Sequence, residues 1–528
     1  MDKTLSNKER SIIFWGSFLA LMAAGVGFGI RVMSIGIWQT EFNISGAEAG
    51  GLFGASLWPI AVGMILFSLV VDKIGYKSSM MIAFAALAGS SIWSIYAKDL
   101  GTLTLAFLLC GFGHGVVEAC INPLCATMYK DQKSKMLNIL HASWPAGIAV
   151  GATIFLLLGT GEAPVLAWRQ MFWFMIIPVI AFGVMFLISH HYPKDERVEA
   201  NVSYVDMFKE FGGLGIFLAT TFLFYELVGQ MINYGLIETS DALGPNRIYT
   251  SVIVGAAAGL ISGFALKSAG KVLFFILCLI MIPLATAEIA TDGWIQKLMK
   301  PVLAEEYGFD SGWAIVMSSL IMMTLRFFAG VPLRFMSPPA LLLLSSVFSI
   351  AGLLLLSEVS GIMIFIAFIF YGVGQTFYWP TVLGFTAEQF PKGGAMTLNT
   401  VSAMGLLTVG IFGMPFLGAV ADNFNAEIVK QEKPQVYEVQ KSPANFFFWK
   451  YEKVDIAGVQ KDLNFPEKAA DQTADQQAFT KKVDQNGRKV LKVAAYLPAI
   501  MGVAFLIMIF FYKSRGGYKP VVLESSWE

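Results

Sequence analysis

Ser68-Leu-Val-Val-Asp72-Lys73-Ile-Gly75-Tyr-Lys77 is a short charged turn set between two predominantly apolar runs, 46–71 and 78–97. Each run is long enough to cross the roughly 30 Å of bilayer hydrocarbon as a helix rising 1.5 Å per residue. The turn therefore reads as a loop at a membrane surface, its lysines at the depth of the lipid headgroups.

The rest of the chain extends that reading. Of 528 residues, 56% are hydrophobic and 14% charged, and the mean hydropathy is +0.64; soluble domains carry about 25% charged residues. Net charge is zero, so neither nucleic acid nor a charged surface is implied as partner. Cys110, Cys120, Cys125 and Cys278 all fall in apolar runs, which argues against disulfides and metal ligation. The first run, from about Ser11, is too long for a signal-peptide core and is retained as a helix.

Further spans are predicted at 11–36, 101–128, 136–159, 167–190, 212–236, 248–267, 271–290, 312–333, 338–356, 360–387, 394–421 and 491–512. With the first pair this makes about 14 transmembrane helices. Lys73, Lys77, Lys130, Lys133, Lys135, Lys194, Arg197, Arg334 and Lys392 sort to the face that carries both termini. The positive-inside rule makes that face cytoplasmic. Polar residues 423–489 then lie outside, where their charge and scattered aromatics fit a small folded appendage and a mobile loop equally, and 470–492 read as a polar helix leading into the last span.

The opening turn resembles the signature Gly-x-x-x-Asp-Arg-x-Gly-x-Lys of the major facilitator superfamily, with Ser68 in place of the first glycine. A second copy, Arg326-Phe-Phe-Ala-Gly330-Val-Pro-Leu-Arg334-Phe-Met-Ser337-Pro338, sits at the same place one half later. Trp38-Gln39 before Ser45-Gly46 parallels Trp294-Ile-Gln296 before Ser311-Gly312. Such repetition implies two six-helix bundles related by a pseudo-two-fold axis along the membrane normal. The expected fold is all-α and polytopic: an N-terminal bundle at 1–197, a linker and inserted two-helix hairpin at 198–268, and a C-terminal bundle at 269–528 interrupted by the outer segment.

Gly111-Phe-Gly-His114-Gly-Val-Val-Glu118-Ala-Cys-Ile-Asn122-Pro123 and Leu137-Asn138-Ile-Leu-His141-Ala-Ser-Trp144-Pro145 look like the fourth and fifth helices of the fucose-permease-like branch, a group of sugar:proton symporters. Gly374-Gln375-Thr-Phe-Tyr378-Trp379-Pro380 in the tenth core helix is similar to that branch too. Helix 1 departs from it: fucose permeases carry an acidic residue there, whereas this helix offers Arg31, which argues against fucose itself.

Ionisable side chains at membrane depth mark functional sites by default. His114, Glu118 and Asn122, spaced by four, share one helical stripe; Glu118 is the expected proton carrier, His114 its partner and Asn122 a substrate contact. Aromatic faces stack on rings and amides fix hydroxyls, so Trp144, Gln375, Tyr378, Trp379 and Asn399 are further candidate contacts, with Trp38, Gln39 and Trp294 toward the outer side. Gating falls to Asp72, Lys73 and Arg334 of the repeated turn, to Asn138 and His141, and to Arg31, expected to pair with Glu288 or Asp292 when the outer side shuts.

The sequence has no Walker motif, no Gly-x-Ser-x-Gly elbow and no His-Glu-x-x-His string, so neither ATP-driven pumping nor the common hydrolase chemistries are indicated. The expectation is a monomeric, cofactor-free secondary transporter of the bacterial inner membrane, importing a sugar or similar neutral solute with protons. An exporter or sodium-coupled carrier of the same fold, or a non-transporting sensor, is the alternative.

Overall fold

In the computed structural model, residues 5–44, 46–160, 164–238, 246–300, 303, 308–466 and 471–523 are described. Ser45 and the side chain of Gln296, part of the half-to-half parallel, lie outside them. Among the described residues, 13 helical segments are long and apolar enough to cross a membrane. One of them, Glu48–Tyr96, has 49 residues, about twice what a single crossing needs. It turns back at Gly75, whose φ of 81° only glycine adopts without strain. That segment therefore holds two crossings, which brings the described residues to about 14.

The first bundle comprises α1 (Asn7–Glu41), α2 (Gly46–Gly54), the doubled α3 (Trp58–Tyr96), α4 (Leu100–Met128), α5 (Lys133–His141) continuing as α6 (Ser143–Leu158), and α7 (Phe172–Ile188). Lipid supplies no hydrophobic force between helices, so close backbone approach through small residues must hold them. A Cβ on Gly147 of α6 would lie 2.2 Å from the Met22 carbonyl of α1, and one on Gly115 of α4 2.2 Å from that of Ile60 in α3. A Cβ on Gly113 would meet Ala86 at 2.9 Å. Residues on both sides of the Gly75 turn thus flank one stretch of α4, as a doubled-back α3 requires.

Next comes the inserted hairpin, α8 (Tyr204–Asn233, broken at Gly212) and α9 (Arg247–Leu266). Arg247 stands 3.6 Å over the Tyr225 ring and donates to its carbonyl at 2.7 Å, tying the two helices together. Phe211 packs on Phe274 of the second bundle, ring centroids 5.4 Å apart.

The second bundle has α10 (Val272–Ala285), a π-turn at Thr286–Ala290, α11 (Thr291–Lys300), α12 (Trp313–Phe327), α13 (Pro338–Glu358), α14 (Met363–Thr376) and α15 (Tyr378–Gln389). It continues with α16 (Gly394–Thr408), a second π-turn at Val409–Gly413, and α17 (Met414–Glu432). Ile177, Ile180, Leu187, Phe264, Ile261 and Ile507 point outward as part of the apolar girdle that lipid covers.

Outside the bundle, α17 leads into a folded appendage: α18 (Pro434–Gln440), β1 (Lys441–Phe446), β2 (Trp449–Val454), α19 (Ile456–Asp462) and α20 (Ala474–Gly487). Its own small core gathers Val429, Tyr437, Val454, Val459 and Phe479. The antiparallel strands pair Lys441 with Val454 and Phe446 with Trp449. At their tip Phe447 packs on Phe412 at 6.3 Å and on Tyr225 of the inserted hairpin at 6.0 Å. Then α21 (Lys489–Ala494) and α22 (Tyr496–Ser514) return the chain across the bilayer. Arg10 lies over Tyr129, and Tyr518 lines a groove with Asp131 and Gln132, so both ends of the chain flank the same loop and share one face, the terminal face.

Candidate functional site

Spacing by four on α4 aligns His114, Glu118 and Asn122, and all three are buried. The Asn122 amide donates to Glu118 at 2.6 Å, and its oxygen faces His141 Nε2 at 2.9 Å. His114 Nε2 approaches the other Glu118 oxygen at 3.7 Å, an electrostatic contact rather than a hydrogen bond. Trp144 stacks on the His114 ring, centroids 5.1 Å apart at 21°. The Glu118 carboxylate meets one imidazole and an amide, and that amide's oxygen links it to the second imidazole, His141: groups able to take, share and release a proton at membrane depth.

A second constellation lies in the other bundle. The π-turn of α10 presents Glu288, which accepts from Arg326 Nη2 at 2.7 Å; both are buried. Four residues on, Asp292 accepts from the Tyr371 hydroxyl at 2.8 Å, and Gln375 donates to the Ala287 carbonyl at 3.4 Å. Arg326 uses its remaining nitrogens on backbone: Nε donates to Thr376 O at 2.6 Å and Nη1 to His141 O at 3.0 Å. His141 therefore joins the constellations, its ring in the first and its carbonyl in the second.

Arg31 stands apart. It is 2% exposed, donates from Nη1 to the weak acceptor Cys110 Sγ at 3.2 Å, and lies 5.7 Å from the Phe107 centroid. Its Nε has no hydrogen-bond partner. Pairing with Glu288 or Asp292 was expected for the state with the outer side shut; in this conformation those carboxylates belong to Arg326 and Tyr371. Among the described residues no carboxylate stands within ion-pair distance of Arg31.

Several candidate solute contacts are engaged in packing instead. Asn399 donates to Ser68 Oγ at 2.8 Å and to Ala119 O at 3.1 Å, bridging the bundles. Trp379 packs against Gly405 and Tyr378 is fully buried beside Ser346 and Ser349. Toward the opposite face, Trp38 is wedged between Phe107 and Trp168, the Gln39 carbonyl accepts from Ile44, and Trp294 lies near Gly418. Trp144, in contrast, sits directly on an ionisable side chain, His114.

The terminal face is closed. Asn138 donates to Thr381 at 3.1 Å, Ser134 N to Glu388 at 3.1 Å and Lys133 to Ala387 O at 3.3 Å, each crossing between bundles. Asp72 pairs with Arg197, Lys73 lies over Tyr204, and Arg334 lines a groove of about 450 Å³ with Lys135, Ser337, Glu388 and Tyr518. Sequence reading missed Arg326, Tyr371, Arg197 and Glu388. Arg326 was visible as the only basic residue of an apolar span; the others gave no signal short of the fold.

The Major Facilitator Superfamily model matches residues 17–287, just over half of the chain. This chain belongs to the Major Facilitator Superfamily and is an integral membrane protein. Its similarity to the cis,cis-muconate transport protein of Acinetobacter baylyi is 29% identity over 196 residues, 34% of this chain and 45% of that one. The 3-(3-hydroxy-phenyl)propionate transporter of Escherichia coli is 26% identical over 164 residues, 31% of this chain and 38% of that one. The chain thus matches less than half the length of these relatives. The fold is that of the proton:xylose symporter XylE bound to 6-bromo-6-deoxy-D-glucose, with a TM-score of 0.61, 14% identity, and coverage of 99% of this chain and 100% of that one.

Proposed function

We propose that the protein carries a small organic carboxylate across the bacterial inner membrane by alternating access, coupled to protons, working as a monomer with its terminal face in the cytoplasm. The observation that carries this reading is Arg31: a guanidinium out of water without a carboxylate partner among the described residues. Taking such a charge out of water costs several kcal/mol unless it is paired, and the fork of donors on arginine matches a carboxylate. The expectation of a neutral sugar gives way on this point, because a sugar would leave the Arg31 charge uncompensated. The names of the two relatives, a muconate and a hydroxyphenylpropionate transporter, point the same way; the XylE likeness speaks to fold alone.

Glu118 is the assigned proton carrier and His114 its partner, because among the described residues no arginine or lysine pairs with this carboxylate to hold it ionised. Glu288, in contrast, is held by Arg326. Trp144, stacked on His114, is placed to meet a planar or conjugated acid. Thermal-shift titration of the purified protein tests the substrate class, since a ligand that binds the folded state raises the melting point. Cis,cis-muconate and 3-(3-hydroxyphenyl)propionate are expected to raise it and xylose is not, and Arg31→Gln is expected to remove the rise. A rise with xylose alone would overturn the assignment.

A further inference from the structure

Three side chains that cross from one bundle to backbone carbonyls of the other choose their acceptors by one rule. Arg326 Nη1 donates to His141 O at 3.0 Å, Asn399 Nδ2 to Ala119 O at 3.1 Å and Lys133 Nζ to Ala387 O at 3.3 Å. In each case the residue four positions further on is a proline: Pro145, Pro123 and Pro391. An α-helical carbonyl accepts from the N–H four residues later, and proline has none. Each acceptor is therefore a carbonyl that its own helix leaves open. Arg326 Nε extends the pattern within its own bundle, donating at 2.6 Å to Thr376 O, four residues before Pro380. In a membrane interior such freed carbonyls must find a donor in protein, because lipid offers none.

We infer that the terminal-face gate is a clasp built on these proline-freed carbonyls, and that Arg326 is its central positioning residue. With one planar guanidinium it fixes the break in α5–α6, the break in α14–α15 and the Glu288 carboxylate. When the terminal face opens, His141 O, Ala119 O and Ala387 O lose donors that no helical N–H replaces, so the open state has to satisfy them from water entering the pathway. The prolines thereby set the balance between two states: they make closure favourable and also reversible, since the acceptors are never consumed by their own helices. Lysine cannot replace Arg326, because a single ammonium on a flexible stem cannot span three acceptors held in different directions.

The test reads the gate without substrate, so it stands apart from the carboxylate assignment. Spin labels on Gln132→Cys and Lys392→Cys, both exposed and on opposite bundles, report the opening of the terminal face by distance measurements in liposomes; the four native cysteines are buried. Pro145→Ala supplies the missing N–H to His141 O and is expected to move the equilibrium toward the open terminal face by about tenfold, the worth of one hydrogen bond to a charged donor. Arg326→Lys keeps the charge beside Glu288 and is expected to shift it in the same direction. Pro178→Ala in α7, where the freed Phe174 carbonyl accepts no cross-bundle side chain among the described residues, is expected to leave the distances unchanged. Unaltered distances in both Pro145→Ala and Arg326→Lys, or an equal shift in Pro178→Ala, would overturn the clasp.

Discussion

The carbonyl oxygen of His141 accepts from Arg326 Nη1 at 3.0 Å while its ring faces Asn122 at 2.9 Å. One residue thereby touches both ionisable networks, Glu118–Asn122 in the first bundle and Glu288–Arg326 in the second. A change in charge at either carboxylate alters the surroundings of the same short break in helix, between α5 and α6. Under the proposed proton coupling, that break is the route by which proton occupancy would bias which face is shut.

Arg326→Ala is expected to be among the most damaging single changes. It leaves Glu288 buried without a counter-charge, and breaking a buried pair from one side typically costs about 3–5 kcal/mol. Replacing both partners, Arg326→Met with Glu288→Leu, is expected to recover much of that loss. Melting curves of the purified variants check the ordering.

Arg31→Gln is expected to act in the opposite sense on stability. Removing an uncompensated buried charge should raise the melting temperature of the ligand-free protein by a few degrees while transport is lost, the usual opposition between a strained site and stability. A lower melting temperature would indicate that Arg31 is a structural strut.

Glu118→Gln is expected to abolish accumulation driven by a pH gradient while sparing exchange of solute across the membrane, because a neutral side chain mimics the protonated carrier but cannot cycle. Loss of both activities together would point to a structural network on α4. Counterflow and gradient-driven uptake, measured on the same vesicles, separate these outcomes.

Acidity should also register at the terminal face. Asp195, in the linker between bundles, is pushed up to about 6 by burial, helped by the negative charge of nearby Asp72. Its ordinary value is 3.8, so between these values the folded protein binds a proton that the unfolded chain does not. Its contribution to stability is full below pH 3.8 and is lost as pH rises through about 6. Asp195→Asn is expected to flatten the melting temperature across that window relative to wild type.

Gly147→Ala tests the contact between α1 and α6. The added Cβ would lie 2.2 Å from the Met22 carbonyl, and overpacking of this kind typically costs about 1–3 kcal/mol. A melting temperature equal to that of wild type would mean that the helices have room to separate.

Much of this architecture is legible in the sequence because the bilayer simplifies the problem: long apolar runs, cation bias and a repeated charged turn suffice to draw the bundles. Glu118 and Asn122 were also legible, since helical spacing alone brings them together. Arg326 stood out as a lone basic residue of an apolar span, but its acceptors did not. Its partners come from three distant stretches, Glu288, Thr376 and His141, and nothing in local spacing records that a freed carbonyl in one bundle faces a donor in the other. Asn399 misleads for the same reason, because an amide at membrane depth suits a solute and a neighbouring helix equally well. The outer appendage was left open between a mobile loop and a folded unit; its strands depend on a core drawn from Val429 to Phe479 that local pattern does not reveal.

Uptake of labelled cis,cis-muconate into proteoliposomes under an imposed pH gradient, compared between wild type and Arg31→Gln, bears most directly on the carboxylate assignment. Wild type is expected to accumulate the acid only with the gradient, and Arg31→Gln to take up none. Equal uptake by the two proteins, or gradient-driven accumulation of xylose in place of the acid, would contradict it.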